Sequence, residues 1–150
     1  MSAKIALRVV RVRRTDTIAG IKSLILRAIA AVEFPGTTPE ELYAEFAGAV
    51  TADAFGLFVG FDAGEPAGLA IAILPMSYVM IAPQAILVYS ESRRPELARM
   101  IGWRLKAWLL ENGYSRLIGH NFYRNDDVYI RGFRHFGLGR RIASLIEFSF

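Results

Sequence analysis

The stretch Ala85-Ile-Leu-Val-Tyr-Ser-Glu-Ser-Arg-Arg-Pro-Glu-Leu-Ala-Arg-Met-Ile-Gly-Trp-Arg-Leu-Lys-Ala-Trp-Leu-Leu-Glu-Asn-Gly113 decides the fold. Its first five residues are apolar whichever way they face, so Ala85–Tyr89 reads as a central strand covered on both sides. A polar loop follows. From Pro95 the period changes: Leu97, Met100, Ile101, Leu105, Trp108 and Leu109 share one helical face, and Trp103 lies off it. Pro95 suits a first helical position, and Gly113 sits where a left-handed C-terminal cap is expected. Ser115–His120 reads as a short strand. A strand, a helix and a second strand in this order predict a right-handed parallel crossover.

Outward from that unit, Ile5–Arg13 alternates with period two and reads as a strand. Ile18, Ile21, Leu24, Ile25, Ala28, Ile29 and Val32 then form one helical stripe behind Thr15-Asp16. Thr38-Pro39-Glu40-Glu41 has the form of a capping box and starts a further helix. Phe55–Phe61 and Ala67–Leu74 are apolar strands flanking Asp62-Ala63-Gly64-Glu65-Pro66, a hairpin loop. Tyr78–Ala82 extends the meander. After His120 the spacing predicts a helix from Asn125-Asp126-Asp127 to about Phe136 and a last strand over 142–150. The predicted order is β-α-α-β-β-β-α-β-α-β. It implies an α/β fold in which a mixed sheet of about six to seven strands carries helices on both faces, with residues 1–150 forming one domain.

Composition narrows the function. The chain has 150 residues, 53% of them apolar and 21% charged, enough for a real core. With no Cys and two His (His120, His135), thiol nucleophiles, disulfide frameworks and zinc-finger spacings are excluded, and no metal constellation is visible. Mean hydropathy is +0.31, yet no apolar run approaches the roughly 20 residues of a membrane helix. No signal peptide is evident, so a soluble, cytoplasmic protein is expected. The hydropathy points to buried strands or to a subunit interface. A net charge of +4 set against 14 acidic residues is a weak nucleic-acid signal.

Four segments taken together resemble the GNAT superfamily of acyl-CoA-dependent N-acetyltransferases. Ile5–Asp16 resembles its opening strand and helix start, and Phe58–Leu69 its hairpin with a Gly-x-Pro-x-Gly turn. Val88–Ala98, continuing to Trp108 and Gly113, resembles its coenzyme-binding strand, loop and helix. Asn125–Leu138 resembles its late Asn…Tyr-x-x-x-Gly-Phe segment. The resemblance implies that acetyl-CoA or another acyl-CoA is a co-substrate and that an amine attacks the thioester directly. It implies Val88 and Tyr89 as partners of the pantetheine arm. Arg93, Arg94, Leu97, Ala98 and Arg99 would hold the pyrophosphate at the helix N-terminus. Asn121 would line the late cleft, and Tyr129 and His120 are the candidates for acid–base work.

Three positions depart from the family pattern. Its loop glycines fall on Glu96 and Ala98. Two unit charges about 4 Å apart repel by roughly 4 kcal/mol at an effective dielectric near 20. A helix N-terminus returns only about 0.3–1 kcal/mol per anion. An inward Glu96 would therefore defeat the site, and an outward one would not. The family's tyrosine acid falls on Phe133, which has no proton to give; Tyr129 lies one turn earlier, and Tyr123 flanks Asn121.

Plainer readings stand beside these. Arg93, Arg94 and Arg99 are either a phosphate clamp or a solvated helix start, His120 either a base or an ordinary strand-end histidine, and Trp103 either an interface aromatic or a packed one. The first functional reading is an N-acetyltransferase acting on an amine whose identity the sequence does not give. The second is a non-catalytic binding or structural module on the same fold. The eroded loop and the late Asn125–Phe133 segment resemble phage-encoded members, which implies a virion location and assembly in a larger particle, with a homodimer as the other assembly.

Overall fold

A computed structural model describes residues 6–32, 36–75 and 82–119. In chain order these form β1 (Leu7–Val12), α1 (Thr15–Gly20), α2 (Lys22–Ala31), α3 (Pro39–Ala49), β2 (Phe55–Asp62), β3 (Glu65–Ile73), β4 (Gln84–Ser90), α4 (Pro95–Glu111) and β5 (Ile118–Gly119). The sheet runs β1-β2-β3-β4-β5. The first three pairings are antiparallel, and β5 pairs parallel to β4 through Gln84↔Ile118 and Ala85↔Gly119. The expected mixed sheet with a parallel return after α4 is therefore present.

Alternation along the strands sorts the core into two layers. Leu57, Val59, Leu69, Ile71 and Leu87 turn to the face covered by α1, α2 and α3, where Ile18, Leu24, Ile25, Ala28, Leu42 and Phe46 are buried. Phe58, Ala70 and Ala72 turn to the other face, under Leu97, Ile101, Leu105, Trp108 and Leu109 of α4. Small residues let α4 sit close to the sheet. A Cβ on Gly56 would come within 2.6 Å of the Trp108 ring, and one on Gly60 within 2.7 Å of Leu97 Cδ1.

Arg11 locks this layer at its edge. Its Nη2 donates to the carbonyls of Asp53 and Phe55 at 3.1 and 3.0 Å, and its guanidinium carbon lies 5.0 Å from the Trp108 ring centroid. Burial is the main cause that lowers its pKa, with Arg13 adding to it. Guanidinium stacking on an indole face is favourable where water is partly excluded.

Several expectations need correction. The stripe from Ile18 to Val32 is two helices, broken at Ile21 (φ −115°, ψ 16°) directly after Gly20. Glycine carries a poor helix propensity, and the break keeps Ile18 and Ile21 both buried. The hairpin loop is shorter than expected. Asp62 and Glu65 pair across Ala63-Gly64, whose φ values of 54° and 82° are those a tight two-residue turn demands. Five strands occur among the described residues, against the six to seven expected. The helix from Asn125, the last strand and most of Tyr78–Ala82 lie outside the described residues, as does His120 at the end of the expected Ser115–His120 strand. Trp103 is 57% exposed and so is not packed under the meander. No described helix is long and apolar enough to cross a membrane.

The α4 expectation holds closely. The helix starts with Pro95 at its first turn, and Gly113 follows its C-cap Asn112 with φ 83°. α3 starts as read: the Thr38 side chain accepts from Glu41 N–H, and the Glu41 carboxylate accepts from Thr38 N–H at 3.1 Å.

Candidate functional site

The candidate site is the path from the end of β4 through residues 91–94 into the first turn of α4. Two irregularities in the sheet shape its approach. β3 and β4 slip register between Ile71 and Ala72, where Leu87 and Ala85 are the partners and Ile86 is the extra residue. β2 and β3 slip between Gly60 and Phe61, which leaves Ala67 extra beside Pro66. Bulges of this kind re-aim a strand end. The Ala67 carbonyl accepts from Glu91 N–H at 2.8 Å, so the backbone after β4 stays tied to β3 for one residue past the strand.

Val88 and Tyr89 are half-buried and point to opposite layers. Val88 packs with the α4 layer and Tyr89 with the layer of α1 to α3. The Tyr89 hydroxyl donates to Glu91 Oε2 at 2.8 Å. Arg27 of α2 reaches the same carboxylate with two bonds, Nε to Oε2 at 3.0 Å and Nη2 to Oε1 at 2.7 Å. Arg27 is the main cause that holds the Glu91 carboxyl below its ordinary range; burial opposes it, and the Tyr89 hydrogen bond adds a smaller lowering. Glu91 is thus a carboxylate at neutral pH, fixed on two sides.

On the other side of the loop Asp62 plays the corresponding part. Its Oδ2 accepts from Ser92 Oγ at 2.8 Å, and Ser92 Oγ accepts from Arg94 N–H at 3.0 Å. Arg94 Nη1 lies 3.7 Å from Asp62 Oδ1. Arg94 is the N-cap of α4 and supplies no side-chain cap. Its carbonyl accepts from Leu97 N–H at 3.1 Å, and Pro95 has no N–H.

The sequence-expected residues are therefore placed as follows. Arg93, Ala98 and Arg99 are exposed around the first two turns of α4, and Arg94 is half-buried against Asp62. Leu97 is fully buried and packs in the core, so only its backbone faces the helix end. Glu96 is exposed in the first turn of α4. Asn121, His120 and Tyr129 lie outside the described residues, together with Tyr123 and Phe133. Sequence reasoning missed Asp62, Ser92, Glu91 and Arg27. Only Ser92 left a local signal, a serine two residues before the helix cap whose hydroxyl can take the amide two positions on.

A helix N-terminus with no side-chain cap carries partial positive charge, and exposed arginines at its first turns add to it. Such an end favours an anion of phosphate type. Among the described residues no cluster of three His, Asp or Glu is placed to hold a metal ion.

Comparison with protein-family models and with curated proteins finds no match. Solved structures do match. The aminoglycoside N-acetyltransferase AAC(6')-Iy in complex with CoA superposes with a TM-score of 0.74 at 13% identity, over 99% of this chain and 98% of that one. A predicted acetyltransferase with acetyl-CoA from Clostridium acetobutylicum gives 0.69 at 13% identity over 96% of both chains. Glucosamine-6-phosphate N-acetyltransferase from Arabidopsis thaliana gives 0.64 at 13% identity over 95% of this chain and 98% of that one. The fold of this chain is that of the GNAT acetyltransferases.

Proposed function

We propose that this protein is an acyl-CoA-dependent N-acyltransferase that moves an acetyl group from acetyl-CoA to an amine. One observation carries the reading. The chain shares its fold, nearly end to end, with acetyltransferases solved with CoA or acetyl-CoA, and its own β4–loop–α4 unit ends in a basic, uncapped helix N-terminus. The full chain, 1–150, acts as one unit in this reading.

In this reading a diphosphate rests at that end. Arg93 and Arg99 supply positive charge, Arg94 sits at the cap, and Leu97 and Ala98 stand in the first turn of α4. Val88 and Tyr89 offer backbone groups to the pantetheine arm. Asn121 is proposed for the late cleft, and His120 and Tyr129 are the groups proposed to handle protons; all three lie outside the described residues. The thioester supplies the acyl group: the amine forms the C–N bond as the C–S bond breaks, the amine loses a proton and the thiolate gains one. The protein's contribution is to hold the two reactants in register and to shield the reacting carbonyl from water.

A second reading, a non-catalytic module on the same fold, is favoured by one local fact. The Arg94 amide is used by Ser92, the Leu97 amide by the Arg94 carbonyl, and Pro95 has none. Incubation of the full chain with acetyl-CoA and a panel of amines separates the two. Release of free thiol that depends on the amine supports the enzyme. Coenzyme binding with no thiol release under any amine supports the module.

A further inference from the structure

We propose that Asp62 is a positioning residue for coenzyme binding: from the β2 end it fixes the loop and cap that receive the diphosphate. The inference rests on the acyl-CoA reading and adds a residue that does not itself touch the coenzyme.

Asp62 stands on a rigid part of the sheet. It is the last residue of β2, paired with Leu7 of β1 on one side and with Glu65 of β3 on the other, directly before the Ala63-Gly64 turn. From there it reaches both ends of Arg94. The backbone is held through a relay, with Arg94 N–H donating to Ser92 Oγ and Ser92 Oγ donating to Asp62 Oδ2 at 2.8 Å. The guanidinium is held by the 3.7 Å ion pair. Since Glu91 is tied to Arg27 on the far side, the loop is anchored at both shoulders.

A loop that must order itself to receive an anion loses affinity to that ordering, and one already ordered does not. The two arms of Asp62 differ in weight. The ion pair is long and its Arg94 side chain is 41% exposed, so it contributes little. The part-buried hydrogen bond to the carboxylate is worth roughly tenfold or more in an equilibrium. The relay, then, carries the effect, and an asparagine at position 62 keeps its acceptor oxygen.

The test titrates the full chain calorimetrically with acetyl-CoA and with acetyl-pantetheine, which lacks the diphosphate. Asp62→Ala is expected to weaken acetyl-CoA about tenfold. It leaves acetyl-pantetheine unchanged, and Asp62→Asn stays within about twofold of wild type for both. Should Asp62→Ala fail to fold, Ser92→Ala removes the middle of the relay and shows the same selective loss. Equal losses for both ligands would make Asp62 a general structural support and overturn the proposal, as would equal losses in the Ala and Asn variants or no loss at all. A wild-type chain that binds neither ligand would reject the acyl-CoA reading as well.

Discussion

Arg27 on α2 grips Glu91, just past β4, with two parallel hydrogen bonds of 3.0 and 2.7 Å that join positions 64 residues apart. The pair fastens the helical layer to the loop that leads into α4. It also gives the fold a pH dependence. Arg27 is the main reason the Glu91 carboxyl is held below its ordinary value. A carboxyl lowered in the folded state adds stability above its unfolded pKa, and that stability drains away as pH falls through the folded one. Arg27→Met should therefore unfold at lower urea than wild type at pH 7, and the gap should close as pH falls below about 4. A gap that persists at low pH would mean that packing of the Arg27 stem, and not the ion pair, is what was lost.

Gly56 is a close-approach glycine. A methyl there would meet Trp108 ring atoms at 2.6, 2.7 and 3.0 Å, and an indole ring cannot bend aside. Gly56→Ala should destabilise by about 1–3 kcal/mol in urea unfolding. Gly48, inside α3, has nothing within 4 Å of an added Cβ, and Gly48→Ala should stabilise by roughly 0.5–1 kcal/mol.

Thr38 closes both halves of the α3 capping box. Thr38→Ala removes an acceptor for Glu41 N–H and should cost about 0.5–2 kcal/mol of unfolding free energy. Thr38→Ser should recover most of it, because the hydroxyl is what caps.

Trp103 and Leu110 are the large apolar side chains left exposed among the described residues, at 57% and 56%, one above the other on the outer side of α4. Trp103→Lys should change stability by no more than about 0.5 kcal/mol, since most of the side chain is already in water and the lysine stem can cover the same neighbours. A larger loss in denaturant would mean that this ring is covered in solution.

How much of this was legible in the sequence follows from range. α4 was readable throughout, because Leu97, Ile101, Leu105, Trp108 and Leu109 repeat at helical spacing and Gly113 marks the end. The capping box at Thr38 was readable for the same local reason. The break at Ile21 was not, since the apolar stripe runs through it unbroken and only backbone geometry separates α1 from α2. Ala63 at φ 54° is hidden too: a non-glycine in the left-handed region gives no sign in a one-dimensional reading, so Asp62–Pro66 reads as a longer loop than the two-residue turn it forms. Of the site, Arg93, Arg94 and Arg99 could be placed by counting along one segment. The carboxylates that hold the loop could not. Asp62 meets Ser92 from 30 residues away and Arg27 meets Glu91 from 64 away, across a sheet whose order had first to be known.

The central claim is that the α4 N-terminus receives the diphosphate of an acyl-CoA. Calorimetric titration of the wild-type chain and of Arg93→Ala with acetyl-CoA tests it most directly. The account predicts saturable binding to wild type at submillimolar coenzyme, weakened several-fold in Arg93→Ala and by added salt, as loss of one exposed cation beside a phosphate should do. Absence of heat at millimolar acetyl-CoA, or binding that ignores both Arg93 and salt, would contradict it.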